Sequence, residues 1–115
     1  MSIPIIDPSA IAGLRELNPD DPAFLRELID LFTQDVGERV TEIERALATA
    51  DLALLARAAH TIKGSCSNFG AAGLVNAAQA LELQAKADNL AGATSVLITL
   101  KAEHTAVTEA LQQFR

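Results

Sequence analysis

The sequence predicts an all-α protein, an antiparallel four-helix bundle with a short additional N-terminal helix. Three observations favour this class. Apolar residues recur every three or four positions in four long segments, as on one face of an amphipathic helix. Ala and Leu dominate the composition, and Trp and Tyr are absent. Short turn signals separate the segments, which is typical of antiparallel neighbours. The 115 residues suit a single domain, 1–115.

The first two helices have the same start signal, an Asp followed by Pro. Asp7 is suited to cap a helix that has Pro8 in its first turn, so we expect a short helix over 8–17. Asp21 and Pro22 predict the first bundle helix over 22–49. The apolar stripe of that helix consists of Leu25, Leu28, Phe32, Val36, Val40, Ile43 and Leu47.

The remaining helices are predicted over 52–69, 72–87 and 90–114. Asp51 caps the first of them and Gly70 stops it. The buried stripe of helix 52–69 consists of Leu55, Ala59, Ile62, Cys66 and Phe69. That of helix 72–87 consists of Leu74, Ala78, Leu81 and Ala85. That of helix 90–114 consists of Leu97, Leu100, His104, Val107, Leu111 and Phe114.

Composition excludes several classes of function. The net charge of −6 and the absence of a Lys/Arg cluster argue against nucleic acid as a direct ligand. The single cysteine, Cys66, excludes an intrachain disulfide. Its place on a stripe predicts a small buried hydrophobe, and the alternative is a reactive thiol. Residues 1–6 are apolar but too short and too poor in basic residues for a signal peptide or a membrane span. We therefore expect a cytoplasmic monomer that does not bind a membrane.

The middle of the chain carries a polar face on the third helix. His60 lies about 140° from the centre of the buried stripe, towards water or the rim between two helices. Its neighbours on that face are Ala56, Lys63, Gly64 and Ser67, of which three are small. Gly64 costs about 1 kcal/mol relative to Ala inside a helix. Close approach of another molecule to the imidazole would account for that cost. The simpler interpretation is a solvated His beside a solvated Lys.

The complete string of residues favours a function over that simpler interpretation. The run His60-Thr61-Ile62-Lys63-Gly64, followed by Phe69-Gly70-Ala71, resembles the signature of histidine phosphotransfer (HPt) domains of bacterial phosphorelays. The resemblance covers nearly the whole chain. Flanking segments that share it are Asp7-Pro8, Asp21-Pro22-Ala23-Phe24-Leu25 and Asp51-Leu52-Ala53.

The residues suit phosphoryl transfer. A neutral imidazole has a nucleophilic nitrogen, and phosphoryl transfer needs mainly positioning and charge neutralisation. Lys63 is one turn from His60 and could bind the phosphoryl oxygens, while Ser67 could donate a hydrogen bond to them. The chain has no Gly-rich phosphate loop or nucleotide motif, so the phosphoryl donor would be a partner.

The resemblance implies the rest of the mechanism. His60 would receive the phosphoryl group, through Nε2, from a phospho-aspartate on a receiver domain and pass it to another response-regulator receiver. The receiver would supply Mg²⁺, an acidic pocket and a Lys, so this chain would bind no cofactor itself. A hybrid sensor histidine kinase is a further possible partner.

The roles or environments of three more residues can be predicted. Glu82 lies 22 residues after His60, where some members of the family place a hydrogen-bonding Gln or Glu. It would orient the ring, or else be an ordinary exposed Glu; helical rotation places it at the rim of its helix. Arg57 would contact an acidic partner or simply be solvated. His104 is predicted to be packed or half-buried, without a function.

Two other kinds of function remain as alternatives. The first is a degenerate fold of the same type that binds a receiver or a kinase without phosphotransfer. This alternative is disfavoured by the presence of His60, Lys63 and Gly64 together. The second is a bundle enzyme or metal carrier. We expect no metal site, because the chain has neither a Glu-x-x-His motif nor a Cys/His cluster.

Overall fold

The computed structural model describes residues 5–115, and their regular secondary structure is entirely helical. The five helices are α1 (Pro8–Arg15), α2 (Phe24–Ala48), α3 (Leu52–Ser67), α4 (Ala72–Lys86) and α5 (Leu90–Gln112). The predicted all-α class is confirmed. The predicted helices match these five, although α1, α3 and α5 end two residues earlier than predicted, and α2 and α4 end one residue earlier.

Side-chain caps explain where α1, α3 and α5 begin. Asp7, Asp51 and Asn89 accept hydrogen bonds from backbone N–H groups in the first turns of their helices. The start of α2 differs from the prediction. The Asp21 carboxylate accepts from the N–H of Ala23, and the N–H of Phe24 donates to the Asp21 carbonyl. These bonds form a turn that includes Pro22, so the regular helix begins two residues later than expected.

The three bundle turns share one geometry. After α2, α3 and α4 the chain passes through one residue with positive φ: Ala50 (54°), Gly70 (65°) and Asp88 (57°). In each turn the N–H of the following residue bonds a carbonyl five positions back, as from Asp51 to Ala46. This is the Schellman motif, which reverses the chain in a few residues and places consecutive helices side by side.

The bundle closes around the predicted stripes. α2 packs on α3, α3 on α4, α4 on α5, and α5 returns to α2, while α1 contacts α2 at one end. At that end the N–H of Asp7 also bonds the carbonyl of Gly70. Most stripe residues are buried, whereas Leu28, Leu47, Leu97, His104 and Phe114 are half-buried. The stripes leave one face of α3 outside the core, beside α4.

No helix within residues 5–115 is both long enough and apolar enough to cross a lipid bilayer.

Candidate functional site

His60 lies on the exposed face of α3. The adjacent Ala59 and, two positions on, Ile62 are fully buried and fix the rotation of the helix against the core. The opposite face therefore points to solvent, and the His60 side chain is 67% exposed. Its imidazole lies at the boundary between α3 and α4.

Glu82 of α4 holds one nitrogen of this ring. Its Oε2 lies 3.1 Å from Nδ1 of His60, and its side chain is only 10% exposed. An ionised carboxylate can only accept a hydrogen bond, so Nδ1 must donate at this contact. In the neutral ring the unprotonated nitrogen is then Nε2. The contact thus selects both the orientation and the tautomer of the imidazole.

Two lysines keep the Glu82 carboxylate ionised. Lys63 Nζ donates to Oε1 at 3.1 Å, and Lys86 Nζ lies 3.3 Å from Oε2. Burial alone would raise the pKa of Glu82. The hydrogen bonds and positive charges of the two lysines outweigh that effect, so the pKa lies below its usual value. One buried carboxylate therefore connects an imidazole and two ammonium groups.

The surface around the imidazole is open. A shallow groove of about 590 Å³ runs beside His60 and is lined by Ala56 and Arg57 of α3 and by Glu82 and Lys86 of α4, among others. On the other side of the ring, a Cβ added to Gly64 would meet no atom within 4 Å. A rigid partner could therefore approach the imidazole closely from solvent.

Comparisons with known proteins bear on the family and the fold of this chain. The family model described as "Hpt domain" matches residues 27–115. The chain belongs to the Hpt domain family. A comparison with curated proteins gave no significant match.

Solved structures similar to this Hpt domain come from a bacterium and from plants. Histidine-containing phosphotransfer protein B (HptB) from Pseudomonas aeruginosa PAO1 is 30% identical, with a TM-score of 0.88 over 97% of this chain and 95% of that one. MtHPt2 from Medicago truncatula is 26% identical, with a TM-score of 0.84 over 95% of this chain and 76% of that one. ZmHP2 from maize, at 21% identity and a TM-score of 0.84 over 95% and 81%, shows the shared fold.

The Hpt domain places the predicted site residues as follows. Ala56, Arg57, His60, Lys63 and Gly64 share the outer side of α3, and Arg57 is exposed. Ser67 lies further along the same helix, but its hydroxyl donates to the carbonyl of Lys63 at 2.9 Å. The expected hydrogen bond from Ser67 to a phosphoryl group would require this bond to break.

The structure distinguishes the two interpretations of Glu82, because its carboxylate contacts the His60 ring and its side chain is not exposed. Rotation alone places it at the rim of α4, whereas the structure buries it against α3 in contact with three basic side chains. Sequence reasoning missed Lys86 altogether. The signal was its position four residues after Glu82, because residues at i and i+4 are neighbours on a helix.

Two other predicted residues lie away from this site. Cys66 is fully buried, and burial followed by the charge of Asp35 raises the pKa of its thiol to about 12. His104 is half-buried on α5. Within residues 5–115, no group of three or more His, Cys, Asp or Glu side chains is arranged to hold a metal ion.

Proposed function

We propose that this Hpt domain carries phosphoryl groups between receiver domains, with His60 as the phosphorylated residue. His60 accepts the group from a receiver phospho-aspartate and passes it to the receiver of another response regulator. The observation that carries the proposal is the contact between His60 Nδ1 and a buried, ionised Glu82. That contact leaves Nε2 as the nucleophile on an exposed ring.

The transfer needs no reactant beyond the two partners. The lone pair of Nε2 attacks phosphorus, the Nε2–P bond forms, and the bond from phosphorus to the aspartyl oxygen breaks. The leaving group is a carboxylate, so it needs no proton. The imidazole becomes positively charged because Nδ1 keeps its hydrogen, and the Glu82 carboxylate stabilises that charge at 3.1 Å.

The phosphoryl oxygens bring additional negative charge to the surface of α3. Lys63 lies one turn after His60 on this helix, and its Nζ is held by Glu82 at 3.1 Å. The lysine stem is flexible, so the ammonium group can turn from Glu82 to the phosphoryl group when that group arrives. Mg²⁺ would be supplied by the carboxylates of the receiver, and this chain would bind no cofactor.

The docking surface is the small-residue face around the ring. Ala56 and Gly64 flank His60 one turn before and one turn after it; Ala56 carries only a methyl group, and the Cβ position of Gly64 is open. Arg57 lines the same groove and would meet the acidic pocket of the receiver. The protein would act as a cytoplasmic monomer, with a hybrid sensor histidine kinase as the source of the receiver.

The experiment that tests the proposal is incubation with a receiver domain carrying labelled phospho-aspartate. Wild type should acquire a label that is stable to base and labile to acid, as expected of phosphohistidine. His60→Gln should remain unlabelled, whereas His104→Gln, the matched control with the other histidine, should be labelled normally. Label that persists in His60→Gln would place the site elsewhere.

A receiver-binding module without transfer is the alternative function. It predicts that wild type binds the phosphorylated receiver in a titration while no label moves to His60. Binding without label, seen with several receivers, would favour this alternative over the carrier.

A further inference from the structure

A second groove lies on the side of α3 that faces α2. It has a volume of about 350 Å³ and is lined by Arg39 and Glu42 of α2 and by residues of α3. Arg57 and Thr61 line both this groove and the one beside His60. A partner that covers the imidazole therefore has to pass only these two side chains to reach α2.

The surface around His60 is positive on its α4 side. Lys63 and Lys86 bind the single carboxylate of Glu82, which leaves a surplus of one positive charge there. Arg57 adds a second positive charge between the two grooves. An acidic pocket placed over the imidazole is therefore attracted to this side.

The α2 side of the second groove has the opposite sign. Three carboxylates lie close to the guanidinium of Arg39: that of Asp35 at 3.5 Å, that of Glu38 at 3.7 Å, and that of Glu42. Three negative charges against one positive charge leave a surplus of two negative charges. We call Asp35, Glu38 and Glu42 the acidic edge of α2.

The acidic edge is accessible to a partner. The side chains of Glu38 and Asp35 are 57% and 42% exposed. At physiological salt an exposed charge acts over about 8 Å, and neighbouring helices lie about 8–10 Å apart. The acidic edge therefore acts on the part of a partner that lies over α2, while the cations beside His60 act on the part that lies over α4.

We propose that the acidic edge of α2 is a second contact surface for the receiver and that it selects receivers with basic side chains beside their acidic pocket. This inference rests on the proposed function. In the docked complex the acidic pocket lies over the cations beside His60, and the basic side chains lie over the acidic edge. A receiver that is acidic at both places is repelled by the edge and binds more weakly.

Glu38→Lys tests the acidic edge without altering the site at His60. The substitution reverses the charge of the most exposed member of the edge and leaves Asp35 and Glu42 as partners of Arg39. Glu and Lys are both good helix formers, so α2 should fold normally. Glu109→Lys is the matched control, because it changes the net charge equally and Glu109 is exposed on α5, which packs on α2 and α4.

The measurement is the rate of label transfer from a phosphorylated receiver that has a basic residue beside its acidic pocket, as a function of receiver concentration. Glu38→Lys should raise KM by about fivefold and leave kcat unchanged, which is the size of effect that exposed charge pairs produce. The difference should shrink at about 0.5 M salt. Labelling by phosphoramidate, a small phosphoryl donor that needs no receiver, should be the same for Glu38→Lys and wild type.

A charge swap tests whether the contact is direct. A receiver whose basic residue is changed to Glu should have a raised KM with wild type and recover most of the loss with Glu38→Lys. An unchanged KM for Glu38→Lys, an equal rise for Glu109→Lys, or no recovery in the swapped pair would overturn the inference. Failure of every receiver to label wild type would instead overturn the proposed function. A binding titration with the same receivers would then still show whether Glu38→Lys weakens the complex.

Discussion

The two histidines of this protein occupy opposite kinds of environment. His60 is 67% exposed, and its Nδ1 contacts a carboxylate. His104 is half-buried, and its Nε2 is buried without a hydrogen-bond partner. On its own helix face His60 has Ala56 and Gly64 as neighbours, whereas His104 lies between the buried Leu100 and Val107. Both residues are on amphipathic helices, so packing and partners, and not residue type, distinguish their environments.

Burial has an electrostatic consequence for His104. Desolvation lowers the pKa of its imidazole, because the charged form is disfavoured away from water. His104 therefore binds a proton at a lower pH in the folded protein than in the unfolded chain. Its ring contributes to packing.

The largest effect should come from closing the open face beside His60. Gly64→Leu places a bulky side chain where a Cβ would meet no atom within 4 Å, so the bundle should fold normally. Transfer from a receiver should fall by more than about tenfold, the equivalent of 1.4 kcal/mol. Labelling by phosphoramidate should change little, because that donor is small.

Gly37→Leu is the matched control, since Gly37 is also inside a long helix with open space around its Cβ position. This variant should accept the label from a receiver as wild type does. Normal receiver transfer by Gly64→Leu would show that the small face beside His60 is incidental.

A smaller effect is expected from the cation beside His60. Lys63→Ala removes the ammonium group that we assign to the phosphoryl oxygens, and receiver transfer should slow by about tenfold. Glu82 keeps Lys86 as a partner, so helix content measured by circular dichroism should hold. Lys101→Ala, which removes an exposed lysine from a surface ion pair, is the control. An unchanged rate for Lys63→Ala would remove this residue from the mechanism.

The smallest expected effect is a change in stability on substitution of His104. His104→Phe removes a buried nitrogen that has no partner, which should raise the free energy of unfolding by about 1 kcal/mol at pH 8. The gain should be larger at pH 5.5. Below the ordinary histidine value of about 6.5, the unfolded wild-type chain binds a proton that the folded one resists, so wild-type stability falls as pH falls.

His60→Phe provides the contrast in the same denaturant titrations. Its ring is exposed, so the substitution should bring no comparable gain at either pH. If His104→Phe showed the same stability as wild type at both pH values, the Nε2 of His104 would be satisfied in solution, and the distinction drawn between the two histidines would weaken.

Much of this site was predictable because it belongs to a single helix. The offset of His60 from the stripe through Ala59 and Ile62 follows from helical rotation alone, and Lys63 and Gly64 lie on the same face for the same reason.

The start of α2 was not predictable in this way. Asp21 and Pro22 fit a helix start, but the Asp21 carboxylate binds the N–H of Ala23 in a turn instead. Two local arrangements compete there, and the sequence pattern does not rank them.

The sequence by itself determined which segments are helical, which face of each is apolar, and that His60 shares an open face with Lys63 and Gly64. These features depend on spacing within one helix. Only the tertiary structure decided that Glu82 is buried beside His60 and bonded to Lys63 and Lys86. That contact joins residues 22 positions apart on two helices. It depends on how far α4 is rotated and shifted against α3, which the packing of the whole bundle sets.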